Sequence, residues 1–513
     1  MKMVLSPENM RLSEREAFAA GVSPEELMGR AAQAIVDRMP PCESVLIVAG
    51  SGNNAGDGYA AALILDDRDV FCDILRLTDK ATDAGEYYLS QCRKRNIRIS
   101  AYSDSFKFSG YDVILDCLFG IGFSGELKGD ELSAVNKINA SGAYVVSADI
   151  NSGLNASNGL GKETVRSDLT LAVGFLKPGH ILNDAADKID KTEICDIGLE
   201  PHAPFFLLED SDLETVFPNR EHNTNKGTFG TAVLFGGRME YSGAARIAGM
   251  GAAAALAGSG LVRLAVPENI AGTVASGFPE STLFLMNEKL GSMVFDREKI
   301  SGALRGASSA AVGFGWGRGE DYRKILEEII KNYDMPTVID ADGLNILAEG
   351  DLEILKVRND VVLTPHPGEF ARLTGRSIPE VLADPIGLSV SFAREYRVTV
   401  LLKGTATVIT DGERVFLTSS GSPGMAKGGS GDALTGLIAG ILAQSRVNGS
   451  DITLKAAAGA FIAGKAGEAA AREKGEVSAL ASDTIRHIPE VIKKIYEKKY
   501  KIIKKQRREY EDH

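Results

Sequence analysis

Asp432 stands behind a glycine loop, Gly424-Met425-Ala426-Lys427-Gly428-Gly429-Ser430-Gly431-Asp432, that runs into the apolar stretch Ala433–Ala443. A glycine loop that opens a helix offers backbone N–H groups and the positive end of the helix dipole, which suits a phosphate in transfer. Asp432, at that helix start, is placed to accept the proton of an attacking hydroxyl. The plain alternative is an N-cap aspartate. Upstream, Leu402-Lys403-Gly404-Thr405-Ala406-Thr407 ends a strand with a lysine and small residues, a fit for a nucleotide phosphate. Thr364-Pro365-His366-Pro367-Gly368-Glu369 sets His366, framed by two prolines, on another strand-end loop. Asp340-Ala341-Asp342-Gly343-Leu344-Asn345 and Gly313-Phe314-Gly315-Trp316-Gly317 close two further strands. Loops held by a rigid scaffold are where binding and catalytic residues concentrate.

A second set lies in the N-terminal part. The strand Ser44–Ala49 runs into Gly50-Ser51-Gly52-Asn53-Asn54-Ala55-Gly56-Asp57-Gly58, where Gly50, Gly52 and Ala55 satisfy the G-x-G-x-x-A variant of the dinucleotide fingerprint. Such glycines let the backbone approach a ligand and point N–H groups at oxyanions; a tight turn with no ligand is the alternative. The strand Val113–Cys117 is followed by Leu118-Phe119-Gly120-Ile121-Gly122-Phe123-Ser124-Gly125-Glu126, and a third strand end carries Asp149-Ile150-Asn151-Ser152-Gly153-Leu154. Three such ends in one α/β unit converge on one crevice. Asn54, Asp116 and Ser152 would offer hard oxygen ligands to a cation, and Asp149 a carboxylate for acid–base work. Singly, each acidic residue also reads as a cap or turn former.

The elements that must position these groups read as strand–helix alternation. Buried-strand runs are Ser44–Ala49, Val70–Leu75, Val113–Cys117, Ala143–Ala148 and Leu169–Val173, with helices at Pro24–Arg38, Gly58–Leu65 and Asp83–Arg95. That pattern predicts a mostly parallel sheet covered by helices. The alternation breaks at Pro201–Pro218 and the polar segment Asn219–Thr228, then restarts at Thr231–Phe235. Further strands are expected near Ala310–Val312, Thr337–Ile339, Val361–Leu363, Val398–Leu402 and Thr407–Ile409. The boundaries that follow are 1–212, 213–496 and a charged tail, 497–513, read as a solvated helical end.

A chain of 513 residues exceeds what one core usually serves. A formal charge of −12 argues against nucleic acid as a partner, because an acidic surface repels phosphate backbones. The five cysteines form no Cys-x-x-Cys pair and are odd in number, so neither a disulfide framework nor a zinc site is expected, and a reducing cytoplasm is the default. The N-terminal MKMVLSPENMRLSE lacks the apolar core of a signal peptide. Ala244–Val262 approaches the length of a membrane span, but Arg246 and its Ala/Gly content favour a helix packed inside a soluble domain. No membrane association is expected; assembly into a homo-oligomer is.

The order G-S-G-N-N-A-G-D-G, L-D-C-L-F-G-I-G-F-S-G, S-A-D-I-N-S-G-L, with the helical region Met10-Arg11 through Leu27-Met28-Gly29-Arg30-Ala31, resembles the NAD(P)HX epimerase domain, a three-layer αβα Rossmann-like fold. The resemblance implies that Asn53, Asn54, Ala55, Gly56, Asp57 and Gly120, Ile121, Gly122, Phe123, Ser124, Gly125, Glu126 hold the substrate beside Asp149, with potassium at Asn54, Asp116 and Ser152. Ala55 departs from a usual glycine and Asn151 from a usual proline. The second half, with K-G-T-F-G at 226–230, L-F-G-G at 234–237, V-I-D-A-D at 338–342, T-P-H-P-G-E at 364–369 and G-M-A-K-G-G-S-G-D at 424–432, resembles the ADP-dependent NAD(P)HX dehydratase of the ribokinase-like α/β fold. That likeness implies Gly317, His366 and Asp432 at the hydrated cofactor, and Lys403, Gly404, Thr405, Ala406, Thr407 and Gly431 at an adenine nucleotide, with ADP and magnesium supplying the phosphoryl group. Gly313–Gly317 reads GFGWG where GPGLG is common, so the bulk of Trp316 is expected to reshape that edge.

Two rival readings stand beside this one. A ribokinase-like kinase for a vitamin precursor, fused to a nucleotide-binding module, would share the glycine loop before Asp432; Thr364–Glu369 and the first domain's motifs argue against it. A non-catalytic nucleotide-binding scaffold would have no need of Asp149, His366 and Asp432 all at strand or loop ends.

Overall fold

The computed structural model describes residues 1–252, 257–276, 278–449 and 451–511. The chain divides into two compact units, Lys2–Phe205 and Phe206–His513.

In the first unit the strands are β1 (Ser44–Ala49), β2 (Phe71–Arg76), β3 (Arg98–Ala101), β4 (Val113–Cys117), β5 (Tyr144–Ala148), β6 (Ser167–Val173) and β7 (Ile189–Cys195). They form a seven-stranded sheet in the order β3-β2-β1-β4-β5-β6-β7, every pair parallel. The central strands are continuous aliphatic runs because both faces are covered. After helix α1 (Pro7–Ala19) come α2 (Pro24–Val36) and α3 (Asn53–Asp67), which pack on one face through Ile35, Val45, Ile47, Tyr59 and Ala62. The other packs against α4 (Gly129–Asn139) through Leu46, Val48, Ala134, Val135 and Ile138. The strand order reverses between β1 and β4, so the chain leaves their carboxyl ends in opposite directions and opens a crevice there. Gly50 is needed at that parting, since a Cβ on it would lie 2.1 Å from the Leu118 carbonyl oxygen.

The strands read from the sequence are present with small shifts; β2, for example, runs one residue later than Val70–Leu75. The helix expected from Gly58 instead begins at Asn53, so Asn53–Asp57 are its first turn rather than a loop. Both β3 and β7 escaped the reading, because Arg98–Ala101 and Ile189–Cys195 are short or charge-interrupted edge sequences.

The second unit contains β8 (Phe205–Leu207), β9 (Thr231–Phe235), β10 (Leu261–Pro267), β11 (Thr282–Met286), β12 (Ser309–Val312), β13 (Thr337–Ile339), β14 (Val361–Leu363), β15 (Thr399–Leu402), β16 (Thr407–Thr410) and β17 (Val415–Thr418). Their order is β8-β17-β16-β15-β14-β13-β12-β9-β10-β11, parallel from β15 through β11, with β16 antiparallel to both β15 and β17. β8 pairs with β17 in the register Phe206↔Phe416 and Leu207↔Leu417, so the division falls earlier than the expected 212/213. Residues 497–511 continue the helix Ala481–Glu511, so the charged tail is the helical end expected of it.

Helices α5 (Ser242–Ala252), α6 (Ser430–Ala443) and α7 (Ile452–Lys474) cover one face of this sheet through a shared apolar core. The α5 and α6 backbones touch: a Cβ on Gly436 would meet the Ala248 carbonyl oxygen at 1.9 Å. The Ala/Gly richness of residues 244–262 serves that close crossing, and the stretch then turns into β10; its residues 253–256 lie outside the described ones. Among the described residues no helix is long and apolar enough to cross a membrane.

Candidate functional site

At the crevice beside β1 and β4 the first unit encloses a cavity of about 680 Å³. Asn53, Asn54, Asp57, Gly120, Ile121, Gly122, Phe123, Ser124, Glu126 and Asp149 line it, as the strand-end reading expected. Ala55, Gly56 and Gly125 lie outside the lining. Ala55 is buried in the apolar core, and a Cβ on Gly56 would meet the Met28 sulfur at 2.5 Å, so both face helix packing. Gly125, at φ +98, turns the loop.

Asp149 sits at φ +63, a conformation aspartate tolerates better than most residues. One carboxylate oxygen accepts the Ile121 N–H at 3.1 Å, and the other lies 2.5 Å from the Lys177 ammonium nitrogen. Lys177 is buried and also donates to the Val173 carbonyl at 2.7 Å. Burial first, then the Lys177 charge, pushes His180 down to about 4, so the ring is neutral at ordinary pH. The Lys177 N–H donates to Nδ1 of that ring at 2.9 Å, which leaves Nε2–H to donate to the Asp149 carbonyl at 2.7 Å. The sequence reading missed Lys177, His180 and the cavity residue Glu14. The signal was Lys177-Pro178-Gly179-His180, a lysine and histidine around a turn just past β6.

Beneath the crevice Asp116 is fully buried, and its carboxylate accepts four bonds: from Leu118 N (3.2 Å), Ser152 Oγ (2.6 Å), Ser147 Oγ (2.9 Å) and Ser152 N (2.9 Å). Burial nonetheless pushes the carboxyl above its ordinary range. Asn54 donates to the Phe119 carbonyl at 2.8 Å, while the Phe119 N–H donates to Ser152 Oγ at 2.9 Å. The three oxygen-bearing residues therefore meet around one backbone unit, and the buried Oδ1 of Asn54 has no hydrogen-bond partner. Asn151, where proline was the expected residue, donates to the Val165 and Lys188 carbonyls and Ser167 Oγ and accepts from Thr170. Its side chain ties the loop down in proline's stead.

In the second unit the candidate residues gather at the carboxyl ends of β12 to β15. Asp340 is buried; one oxygen accepts Lys403 Nζ at 2.9 Å and Thr364 Oγ1 at 2.8 Å, the other Thr435 Oγ1 at 2.8 Å. Burial opposes its ionisation, but the Lys403 charge and these bonds outweigh it and hold the carboxyl below the ordinary range. Gly431 passes over this pair; a Cβ there would lie 3.5 Å from an Asp340 oxygen and 3.6 Å from Lys403 Nζ.

Asp432 is in the first turn of α6 and is not its cap: Gly429, at φ +94, caps the helix without a side-chain bond. Burial first, then the charge of Asp340, raises Asp432 to about 6 against the opposing Lys403. Gly317 N–H donates to Asp342 at 2.7 Å, which brings that loop to the same end. His366 does cap its helix, Pro367–Thr374, accepting from Gly368 N at 3.0 Å, yet half of its side chain stays exposed. Burial and the nearby Lys403 push its ring below the usual histidine range.

Lys403 is bonded to Asp340, while Gly404 and Thr405 are exposed in the β15–β16 hairpin and Ala406 is buried. One expectation changes. Trp316 does not reshape the site edge: it turns inward, fully buried, and stacks on Tyr322 at 5.0 Å between ring centroids. A 970 Å³ cavity lined by Ser308, Pro336, Asp360 and Val398 opens at the amino ends of these strands, away from every candidate residue.

A family model described as NAD(P)H-hydrate dehydratase matches residues 232–490, and one described as YjeF-related protein N-terminus matches residues 24–179. The bifunctional NAD(P)H-hydrate repair enzyme Nnr of Coxiella burnetii is 32% identical over 505 residues, covering 95% of this chain and 99% of that protein. The enzyme of the same name from Moorella thermoacetica is 32% identical over 473 residues, 88% of each chain. Among solved structures, the ADP/ATP-dependent NAD(P)H-hydrate dehydratase of Bacillus subtilis, co-crystallized with ATP/Mg2+, is 27% identical, covers 57% of this chain and 99% of that one, and has a TM-score of 0.48. Similarity at this level over nearly the whole of both chains leaves one assignment: the chain belongs to the family of bifunctional NAD(P)H-hydrate repair enzymes.

Proposed function

We propose that the two units act in succession on hydrated NADH and NADPH. The first interconverts the R and S epimers at the hydrated carbon; the second dehydrates the S epimer with ADP, giving NAD(P)H, AMP and phosphate. Expelling hydroxide directly is unfavourable, whereas a phosphorylated hydroxyl leaves readily, so the second unit's task is phosphoryl transfer followed by elimination. Such transfer needs positioning, charge neutralisation and a base at the attacking hydroxyl. The observation that carries this reading is Asp432, raised to about 6 at the head of a glycine-opened helix beside the Asp340–Lys403 pair. Gly317, His366 and Asp432 would contact the hydrated ring. Lys403–Thr407 and Gly431 would hold ADP, whose magnesium would neutralise its phosphates, with Lys403 contributing charge from within its bond to Asp340.

The test is to supply mixed epimers of hydrated NADH with ADP and magnesium and follow the reduced-nicotinamide absorbance. Full recovery with one AMP per NADH is expected. Robust turnover with ATP alone would overturn the ADP assignment, and ATP consumption with the hydrate untouched would favour a vitamin-precursor kinase.

For the first unit, Asn54, Asp116 and Ser152 fit a potassium ion: all are hard oxygen donors, and the orphaned Asn54 Oδ1 needs a partner. Bound there, the ion would supply positive charge to the buried Asp116 and fix the Phe119–Gly122 loop. Asp116→Ala should abolish potassium binding by isothermal titration and slow epimerisation, leaving dehydration of the S epimer intact. Unchanged potassium affinity in that variant would remove the site. Self-association into a homo-oligomer and a reducing cytoplasmic setting complete the reading, the latter supported by five cysteines that are all free.

A further inference from the structure

We infer that Lys177 is a catalytic acid of the epimerase, paired with Asp149 as base, and that the two epimers interconvert by opening and reclosing the hydrated ring at its carbon–nitrogen bond. The inference rests on the epimerase reading of the first unit and goes beyond it in naming the proton donor and the bond that breaks. Lys177 and Asp149 both belong to the cavity lining, and Lys177 Nζ lies 2.5 Å from an Asp149 carboxylate oxygen. Water adding to the ring's enamine double bond places its hydroxyl on the carbon bonded to nitrogen, because an enamine takes its proton at the far carbon. The hydroxyl oxygen and the ring nitrogen then share one carbon, and two bonds of about 1.45 Å at a tetrahedral angle put them about 2.4 Å apart. The acid–base pair therefore matches the substrate's O–C–N edge in span. An acid and a base serving carbon–oxygen cleavage would both address the oxygen and would need no such match.

The step balances. Asp149 takes the hydroxyl proton as the carbon–nitrogen bond breaks; the bonding pair passes to the ring nitrogen, which takes a proton from Lys177, and the carbon becomes an aldehyde. Rotation about the adjoining carbon–carbon bond presents the other face. The nitrogen pair then re-forms the bond, its proton returns to Lys177, and the oxygen recovers the proton held by Asp149.

Several titratable groups surround the pair. The charged and titratable groups facing it are Glu14 and Arg11 from the helix Pro7–Ala19, Asp57 from α3, His180 and, at the end of β7, Cys195. Burial first, and the Asp149 charge second, push Asp57 well above the carboxylate range and Glu14 above it in the same direction. His180 stays neutral and fixes the backbone of both partners.

Lys177→Arg keeps the positive charge against Asp149 but cannot release a proton. In the full-length chain it should fold, bind potassium and dehydrate the S epimer normally, while its epimerisation kcat falls about 10²–10⁴-fold with KM little changed. Lys177→Ala should regain epimerisation on addition of ethylamine, and wild-type epimerisation in H2(18)O should leave the substrate oxygen unlabelled on the time scale of turnover. Near-normal epimerisation by Lys177→Arg, or 18O uptake at every turnover, would overturn the inference. Absence of epimerisation in the wild-type chain would instead overturn the reading on which it stands. Should Lys177→Ala not fold, Lys177→Arg and the wild-type isotope measurement decide the matter without it.

Discussion

Asp432→Asn is expected to lower dehydration of the S epimer by about 10²–10⁴-fold, the usual cost of losing a positioned general base. The substitution keeps the shape and the buried volume at the first turn of α6, and Asp432 makes no cap bond whose loss would disturb the helix. The effect should therefore appear in kcat rather than KM, and epimer interconversion, which uses residues of the other unit, should be unchanged. The pH dependence supplies an independent check. A base must be deprotonated to act, and burial with the charge of Asp340 has raised Asp432 to about 6. Wild-type kcat/KM should thus fall as the pH drops through about 6 and be flat above it, and the residual rate of Asp432→Asn should lack that limb. Near-normal dehydration by the variant would remove Asp432 from the mechanism.

Most of the scaffold was legible because parallel strands buried on both faces read as unbroken aliphatic runs, as in Ser44–Ala49 and Val113–Cys117. Arg98–Ala101 and Ile189–Cys195 hid because edge strands carry charges on their open side. The start of α3 hid because Asn53, Gly56 and Gly58 have loop-like propensity, and tertiary packing against Met28 and Cys117 overrides it. Within the sites, residues displayed on glycine loops are legible from their neighbours, so Asn54 and Asp149 are expected at one crevice and Asp432 at a helix start, where the fold places them. Lys177 lay on no glycine loop, and its partner is 28 residues away, so only the fold brings it to Asp149. The bond from Lys403 to Asp340 was not legible either, because 63 residues separate the partners and only the sheet brings their strand ends together.

Asp340→Ala should destabilise the second unit by about 3–5 kcal/mol, the cost of removing one partner from a buried ion pair. Lys403 has a side-chain exposure of 24%, so water compensates only a minor part of its stranded charge. The Thr364 and Thr435 hydroxyls lose their acceptor as well. Asp340→Asn, which retains an acceptor oxygen but not the charge, should fall between the variant and the wild type. Trp316 is the chain's one tryptophan and is fully buried in this unit, so its fluorescence during denaturant unfolding reports on the second unit alone. The pH dependence has a definite sign. The folded-state carboxyl of Asp340 is held below its ordinary value, so its contribution is complete above the unfolded value of about 3.9 and fades as the pH falls toward the folded one. The gap between wild type and Asp340→Ala should accordingly be full at neutral pH and narrow below about 4. In Asp340→Asn the dehydration limb at about 6 should move to lower pH, because a negative charge that raised Asp432 is gone while Lys403 remains to lower it. A loss of stability under about 1 kcal/mol would place the pair with exposed ion bridges and deny it a part in organising the site.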